Sequence, residues 1–238
     1  MQLQIWIWLG LALVVGLIFL LFFTNNPDIA QVELAPEPVN NITETNTSPL
    51  ELMLTQENVQ EIIAALQQPE HYQREIRQTR FWDGSSGTRQ AEIWVSPDAM
   101  RISWDNGEHM LFTAQYYYFW FQTYETIRRQ NPLTEEENLQ QTFDAFAGVS
   151  SYGHFLTRDT SEILTVEQGN LEIQGSVYFV IIVSAIDGAF DLRDYYFICA
   201  NTGLLLKMET YDDEQLVYRF ETTSLRIGDI DSSVFIAP

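Results

Sequence analysis

The sequence predicts an α+β chain: an N-terminal transmembrane helix, then a strongly curved antiparallel sheet with a short helix before it and a helical insert within it. Three observations predict this. Residues Ile5 to Phe23 form 19 consecutive positions without a charge. From Tyr72 onward apolar and polar residues alternate with the period of two that marks strands. Residues 131 to 162 interrupt that alternation before it resumes. About ten strands with so little helix to cover them curl, and a curled sheet needs something to fill its concave face.

The apolar run comes first. At about 1.5 Å per residue it reaches roughly 28 Å, close to the hydrocarbon thickness of a bilayer. A cleavable signal peptide has a basic leading region, a shorter apolar stretch and a small-residue cleavage site. Here no base precedes the run, and Thr24-Asn25-Asn26-Pro27 follows it. Residues 1–23 therefore read as an uncleaved transmembrane anchor, with a removed signal as the competing reading. The only cysteine is Cys199, so no lipid can be attached next to the run and no disulfide can form within the chain. The first basic side chain is Arg74, which leaves charge nearly silent on orientation. A single N-terminal span behaves as a signal anchor, which places the body on the extracytoplasmic side of the cell membrane.

Residues 24–54 are rich in Asn and Pro and carry five acids and no base. Nothing there can bury a core, so the stretch reads as a disordered acidic linker. Residues 55–238 are long enough for one domain. Their charge is uneven, with ten acids against seven bases up to residue 130 and eighteen against five beyond it. The chain's net charge of -21 repels phosphate backbones, which argues against nucleic acid as a partner.

The body opens with a helix. Thr55 is placed to cap it, Val59, Ile62, Ile63 and Leu66 form its apolar stripe, and Pro69 follows its end. Tyr72 to Trp82 and Thr88 to Val95 then flank the loop Asp83 to Gly87 as a hairpin. Met100 to Trp104 and His109 to Ala114 flank Asp105-Asn106-Gly107-Glu108, where a two-residue Asn-Gly turn sets both residues at positive φ. Tyr116 to Phe121 is apolar on both faces. In the insert, Leu133-Thr134-Glu135-Glu136-Glu137 followed by Leu139, Phe143 and Ala147 reads as one or two helices. Strands resume at Ile163 to Val166, Leu171 to Ile173, Val177 to Ala185, Tyr195 to Ala200, Leu204 to Tyr211 and Leu216 to Leu225. Asn201-Thr202-Gly203 and Asp212 to Gln215 supply the last turns.

Catalytic chemistry finds little support. His71, His109 and His154 have no second ligand at zinc spacing beside them. Gly148-Val149-Ser150-Ser151-Tyr152-Gly153 has one residue too many for a nucleophile elbow and follows no strand. The acids from Asp187 to Asp194 and from Asp229 to Asp231 lack calcium-loop spacing. The expectation is a protein with no catalytic residue, metal or cofactor.

The aromatic loading of the strands is a stronger signal. On alternation, Tyr116, Tyr118 and Trp120 share one face, with Tyr117, Phe119 and Phe121 on the other. Rings on such strands either pack the sheet on its helices or line a concave apolar cavity. The candidates for the cavity are Trp82, Trp94, Trp104, Phe112, Tyr118 and Trp120. Such a hollow buries a lipid acyl chain or a hydrophobic peptide segment at roughly 25 cal/mol per Å².

The order of elements, together with Tyr195 to Leu205, the closing Ser232 to Pro238 and the opening Leu54 to Leu66, resembles the LolA/RseB superfamily. The resemblance covers residues 55–238 and implies an unclosed β-barrel, a half-barrel. Members of that group include a periplasmic lipoprotein carrier, the RseB sensor that regulates an anti-sigma factor, and Gram-positive lipoproteins such as the germination protein GerS. It implies a lipid or lipoprotein ligand, or a protein partner for an adaptor of the cell envelope or of spore germination. One departure bears on function. Carriers are cleaved free of the membrane, whereas this chain keeps its anchor.

Overall fold

A computed structural model describes residues 53–113, 115–121, 127–130, 143–144, 147–187 and 191–237. The expected anchor, nearly all of the linker and the Leu133 to Leu139 start of the insert lie outside these residues. No helix among the described residues is long and apolar enough to cross a membrane.

The expected first helix is α1, Val59–Ala65, with Val59 and Ile63 buried. Its N-cap is Asn58 and not Thr55. The Thr55 carbonyl accepts from the Val59 amide at 3.1 Å, while the Thr55 amide donates to Asn58 Oδ1 at 2.8 Å. A turn before the helix has taken the role expected of the Thr55 hydroxyl.

The strands form one antiparallel sheet. In chain order they are β1 (Tyr72–Trp82), β2 (Ser85–Ser96), β3 (Ala99–Trp104), β4 (Glu108–Thr113), β5 (Tyr116–Phe121), β6 (Ile127–Gln130), β7 (Ile163–Ile173), β8 (Ser176–Asp187), β9 (Leu192–Cys199), β10 (Leu205–Asp212) and β11 (Gln215–Ile227). The spatial order of the eleven strands is β6-β5-β4-β3-β2-β1-β11-β10-β9-β8-β7. Two meanders thus run outward from a seam where β1 pairs with β11, Tyr72 opposite Ile227 and Arg80 opposite Tyr218. Strand β11 also touches β7, its fourth neighbour along the ladder, so this half of the sheet curls strongly. The edges β6 and β7 remain unpaired with each other, which leaves the curved sheet unclosed.

Two turns differ in length from what the sequence suggests. Trp82 pairs with Ser85, so the first hairpin turns on Asp83-Gly84 alone, with Gly84 at φ 70. The second turns on three residues: the Gly107 amide donates to the Trp104 carbonyl at 3.0 Å, and Gly107 has φ 84. Asn106 stays at negative φ, which corrects the two-residue turn expected there. A turn closed by a left-handed glycine is the standard three-residue hairpin. Strand β7 is continuous through Gln168-Gly169-Asn170, which looked like a break. As an edge strand it tolerates polar residues, and Gly169 leaves room for the Ile182 side chain, whose Cδ1 would lie 2.9 Å from an added Cβ. Strand β5 is only half-buried, with Phe121 exposed, so its two apolar faces are not both covered.

The connection from β6 to β7 dictates the core. Ten steps of about 4.8 Å separate these edges along the sheet, and the described part of the connection packs its side chains on the inner face. Of the crossing residues, Phe143, Ala147, Val149 and Phe155 are buried with Val59 and Ile63 of α1 against Ile76, Ile93, Ile102, Val183, Tyr196 and Phe220. Turns of 3-10 helix at Phe155–Thr157 and Thr160–Glu162 end the crossing. A smaller cluster lies on the opposite, outer face: Ala99, Leu111 and Trp120 under Phe235 and Ala237 of the C-terminal segment. All described residues fall in one compact unit, Ser48–Pro238.

Candidate functional site

Among the described residues, Phe143, Val149 and Phe155 fill much of the hollow of the sheet, and one end of it is open. There a cavity of about 450 Å³ lies between α1, the start of β1, the β2–β3 turn, the crossing segment and the start of β10. Its apolar wall comes from Ile63, Leu66, Val95, Met100, Leu156 and Leu205. Its polar wall includes Tyr72, Arg74, Asp144 and Tyr152.

Local structure holds the rim in place. The helix ends at Ala65, with Leu66 already extended, and the chain turns into β1 past Gln68, whose Nε2 donates to Tyr152 Oη at 3.2 Å and to the Gly203 carbonyl at 3.3 Å. Tyr152 Oη donates to the same carbonyl at 2.7 Å. Gly203 has φ 63, and a Cβ there would lie 3.0 Å from Leu66 Cβ, so the β9–β10 turn closes on α1 only because the residue is glycine. Gln60 Nε2 donates to the carbonyls of Phe155 and Arg158, both at 2.9 Å, and so pins the helix to the crossing segment.

Arg74 is the unusual member. Tyr72, Arg74 and Ile76 alternate on the buried face of β1, and Arg74 is only 3% exposed. Its guanidinium carbon lies 5.7 Å from the Tyr72 ring centroid and 5.8 Å from that of Phe220. Nη1 donates to the Leu205 carbonyl at 3.2 Å, while Nε is buried without a hydrogen-bond partner. Burial pushes the Tyr72 phenol up to about 12, with the charge of Arg74 opposing the shift and that of Asp144 adding to it. Burial likewise raises Tyr152, and Asp144 again adds to the effect.

The six aromatic candidates are elsewhere. Trp104 and Phe112 are brought together in the inner core, where Arg89 stacks over Trp104 at 3.9 Å and Phe112 meets Phe143 edge-on at 5.4 Å. Trp94, Tyr118 and Trp120 lie on the outer face. Arg101 sits between Trp94 and Trp120, at 5.5 and 5.3 Å from their rings, and donates from Nη1 to the Val234 carbonyl at 2.7 Å. His109 stacks on Trp120 at 5.3 Å. Trp82, 50% exposed, covers Gly87 at the tip of the first hairpin. None of the six borders the cavity.

Sequence reasoning passed over Arg74, although a signal was present. A charged side chain in the buried phase of an alternating strand, between Tyr72 and Ile76, marks a cation facing the core.

The arrangement offers binding groups and little for catalysis. The Ser150 hydroxyl lies 2.6 Å from the Tyr218 hydroxyl, with no base beside it among the described residues. No cluster of three or more metal-ligating side chains occurs among the described residues.

No family model and no curated protein matches the chain. Solved structures do. A LolA superfamily protein from Nitrosomonas europaea is 11% identical over 77% of this chain and 98% of its own, with a TM-score of 0.34. A DUF1329 family protein from Desulfovibrio piger is 11% identical over 76% of this chain and 95% of its own, with a TM-score of 0.38. A domain described as an outer membrane lipoprotein-sorting protein, from Vibrio parahaemolyticus, is 15% identical over 76% of this chain and 95% of its own, with a TM-score of 0.32.

Proposed function

We propose that the chain is a membrane-tethered, non-enzymatic binding protein whose body stands outside the cytoplasm and accepts an apolar ligand, an acyl chain or a hydrophobic segment, in the cavity beneath α1. The observation that carries this reading is the cavity itself. Its volume of about 450 Å³ falls within the range of roughly 300 to 1,000 Å³ typical of small-ligand sites, and its mixed lining of aliphatic side chains with a few polar groups is typical as well. The tether rests on the length of the Ile5 to Phe23 run.

A titration of the full-length chain, held in amphipol, with the apolar fluorophore N-phenylnaphthylamine tests the reading. A saturable signal is expected, lost in Ala64→Trp, which sets a ring at the rim of the cavity. A signal that never saturates, or that survives Ala64→Trp unchanged, defeats it.

A second reading is a protein-directed adaptor of the cell envelope or of spore germination, with no small ligand. The filling of the hollow by Phe143, Val149 and Phe155 favours it. A wild-type chain that binds no apolar probe yet retains a protein partner when pulled from its own membrane would establish that reading.

A further inference from the structure

Arg74 carries its charge into the body of the protein with unusually little to answer it. Among the described residues no carboxylate lies within ion-pair distance of it. Two ring faces and one carbonyl are its neighbours, and Nε has no acceptor. A buried guanidinium without an anion is costly, and a buried donor without a partner calls for an explanation. The first of these needs is met by an anion delivered through the cavity that Arg74 borders. The guanidinium fork suits the paired oxygens of a carboxylate or a phosphate.

The surroundings narrow the ligand further. A chain of net charge -21 repels free anions, so an anion must be drawn in by something besides charge. The wall of Ile63, Leu66, Met100 and Leu156 supplies that attraction for an alkyl chain. A volume near the low end of the ligand-site range suits one chain rather than several. Asp144 borders the same cavity and opposes an anion, so the head belongs on the side of Arg74.

We propose that the cavity takes an amphiphile with a single alkyl chain and an oxyanion head, carboxylate or phosphate, seated on Arg74. This rests on the reading of the cavity as the ligand site, and it adds the chemistry of the head.

Photo-crosslinking with the full-length chain in phosphatidylcholine vesicles tests it, using diazirine-bearing dodecanoate and its dodecanol counterpart, with adducts mapped to cavity peptides. The carboxylate is expected to label those peptides at least about tenfold more efficiently than the alcohol. Arg74→Gln should bring the carboxylate down to the level of the alcohol, and Arg74→Lys should keep part of the preference. Asp144→Asn should widen it. Dodecyl phosphate should displace the carboxylate probe, and inorganic phosphate should not. Equal labelling by carboxylate and alcohol overturns the proposal but leaves the apolar site standing. Displacement by inorganic phosphate alone marks a free-anion site and overturns the amphiphile. Absence of cavity labelling by either probe overturns the proposal together with the reading it rests on.

Discussion

Two arginine side chains are buried against the same sheet and are answered in different ways. Arg158, at the end of the crossing segment, places Nη2 2.9 Å from Asp194 Oδ2 on β9 and donates from Nη1 to the Ile186 carbonyl at 2.6 Å. Asp194 is itself completed by Thr210 Oγ1 at 2.8 Å and Tyr196 Oη at 3.1 Å. Arg74, on β1, has the Leu205 carbonyl, two ring faces and a cavity. The difference separates a charge used to fasten one element to another from a charge left available. A guanidinium paired with a carboxylate locates the crossing segment on the C-terminal half of the sheet, whereas one without a carboxylate leaves capacity for something that arrives later.

Breaking the closed network should have the largest effect. Asp194→Ala leaves Arg158 buried beside an empty position and is expected to cost about 3 to 5 kcal/mol in chemical denaturation. The double variant Arg158→Met with Asp194→Leu should recover most of that loss, since a charge pair replaced whole by apolar groups is close to neutral. If the double variant is as unstable as the single one, the network does more than neutralise a charge.

Next comes an alkaline effect at the open site. The Tyr72 phenol is held at about 12 in the fold against 10.0 ordinarily, so the fold favours its protonated form. That stability is complete below pH 10 and is lost as pH rises from 10 through 12, amounting to about 3 kcal/mol. Tyr72→Phe should flatten this part of a stability-versus-pH curve. An unchanged slope would place the titration on other groups.

Gly203→Ala should be milder. A side chain at φ 63, pressed on Leu66, is expected to cost about 1 to 3 kcal/mol and to move the end of α1 over the cavity. Thermal unfolding measures the first part, and altered apolar-probe binding the second. Arg74→Met should change stability least, by no more than about 1 kcal/mol or with a gain, because it removes a charge that no acid answers. A loss as large as that of Asp194→Ala would mean that the two arginines are equivalent after all.

Much of this architecture was legible in the residues. The alternation of Tyr72 to Trp82 and of Leu216 to Leu225 announces strands, and the stripe from Val59 to Leu66 announces the helix. Pairing was harder, because nothing local in β1 or β11 names the other; their contact follows only once both meanders are in place. Turn lengths were misjudged in both directions: Gly84 closes the first hairpin more tightly than the run Asp83 to Gly87 suggests, while Gly107 closes a three-residue turn where Asn-Gly suggests two. The rings of Trp94 and Trp104 were placed correctly on strands, yet alternation within a strand gives two faces without saying which one the crossing segment will cover. The cavity itself draws on α1, β1, β3, β10 and the crossing segment, and no window of sequence contains all of these.

The seam between β1 and β11 has one more consequence. Tyr72 and Arg74 come early in the chain and Leu204 and Leu205 late, and they meet only when the last strand has paired with the first. A chain leaving the ribosome can make each meander from neighbours close in sequence, but it cannot close the pocket until β11 has emerged. A ligand bound there therefore distinguishes molecules in which β11 has joined β1 from those in which it has not, and occupancy becomes a report that the two meanders are in register.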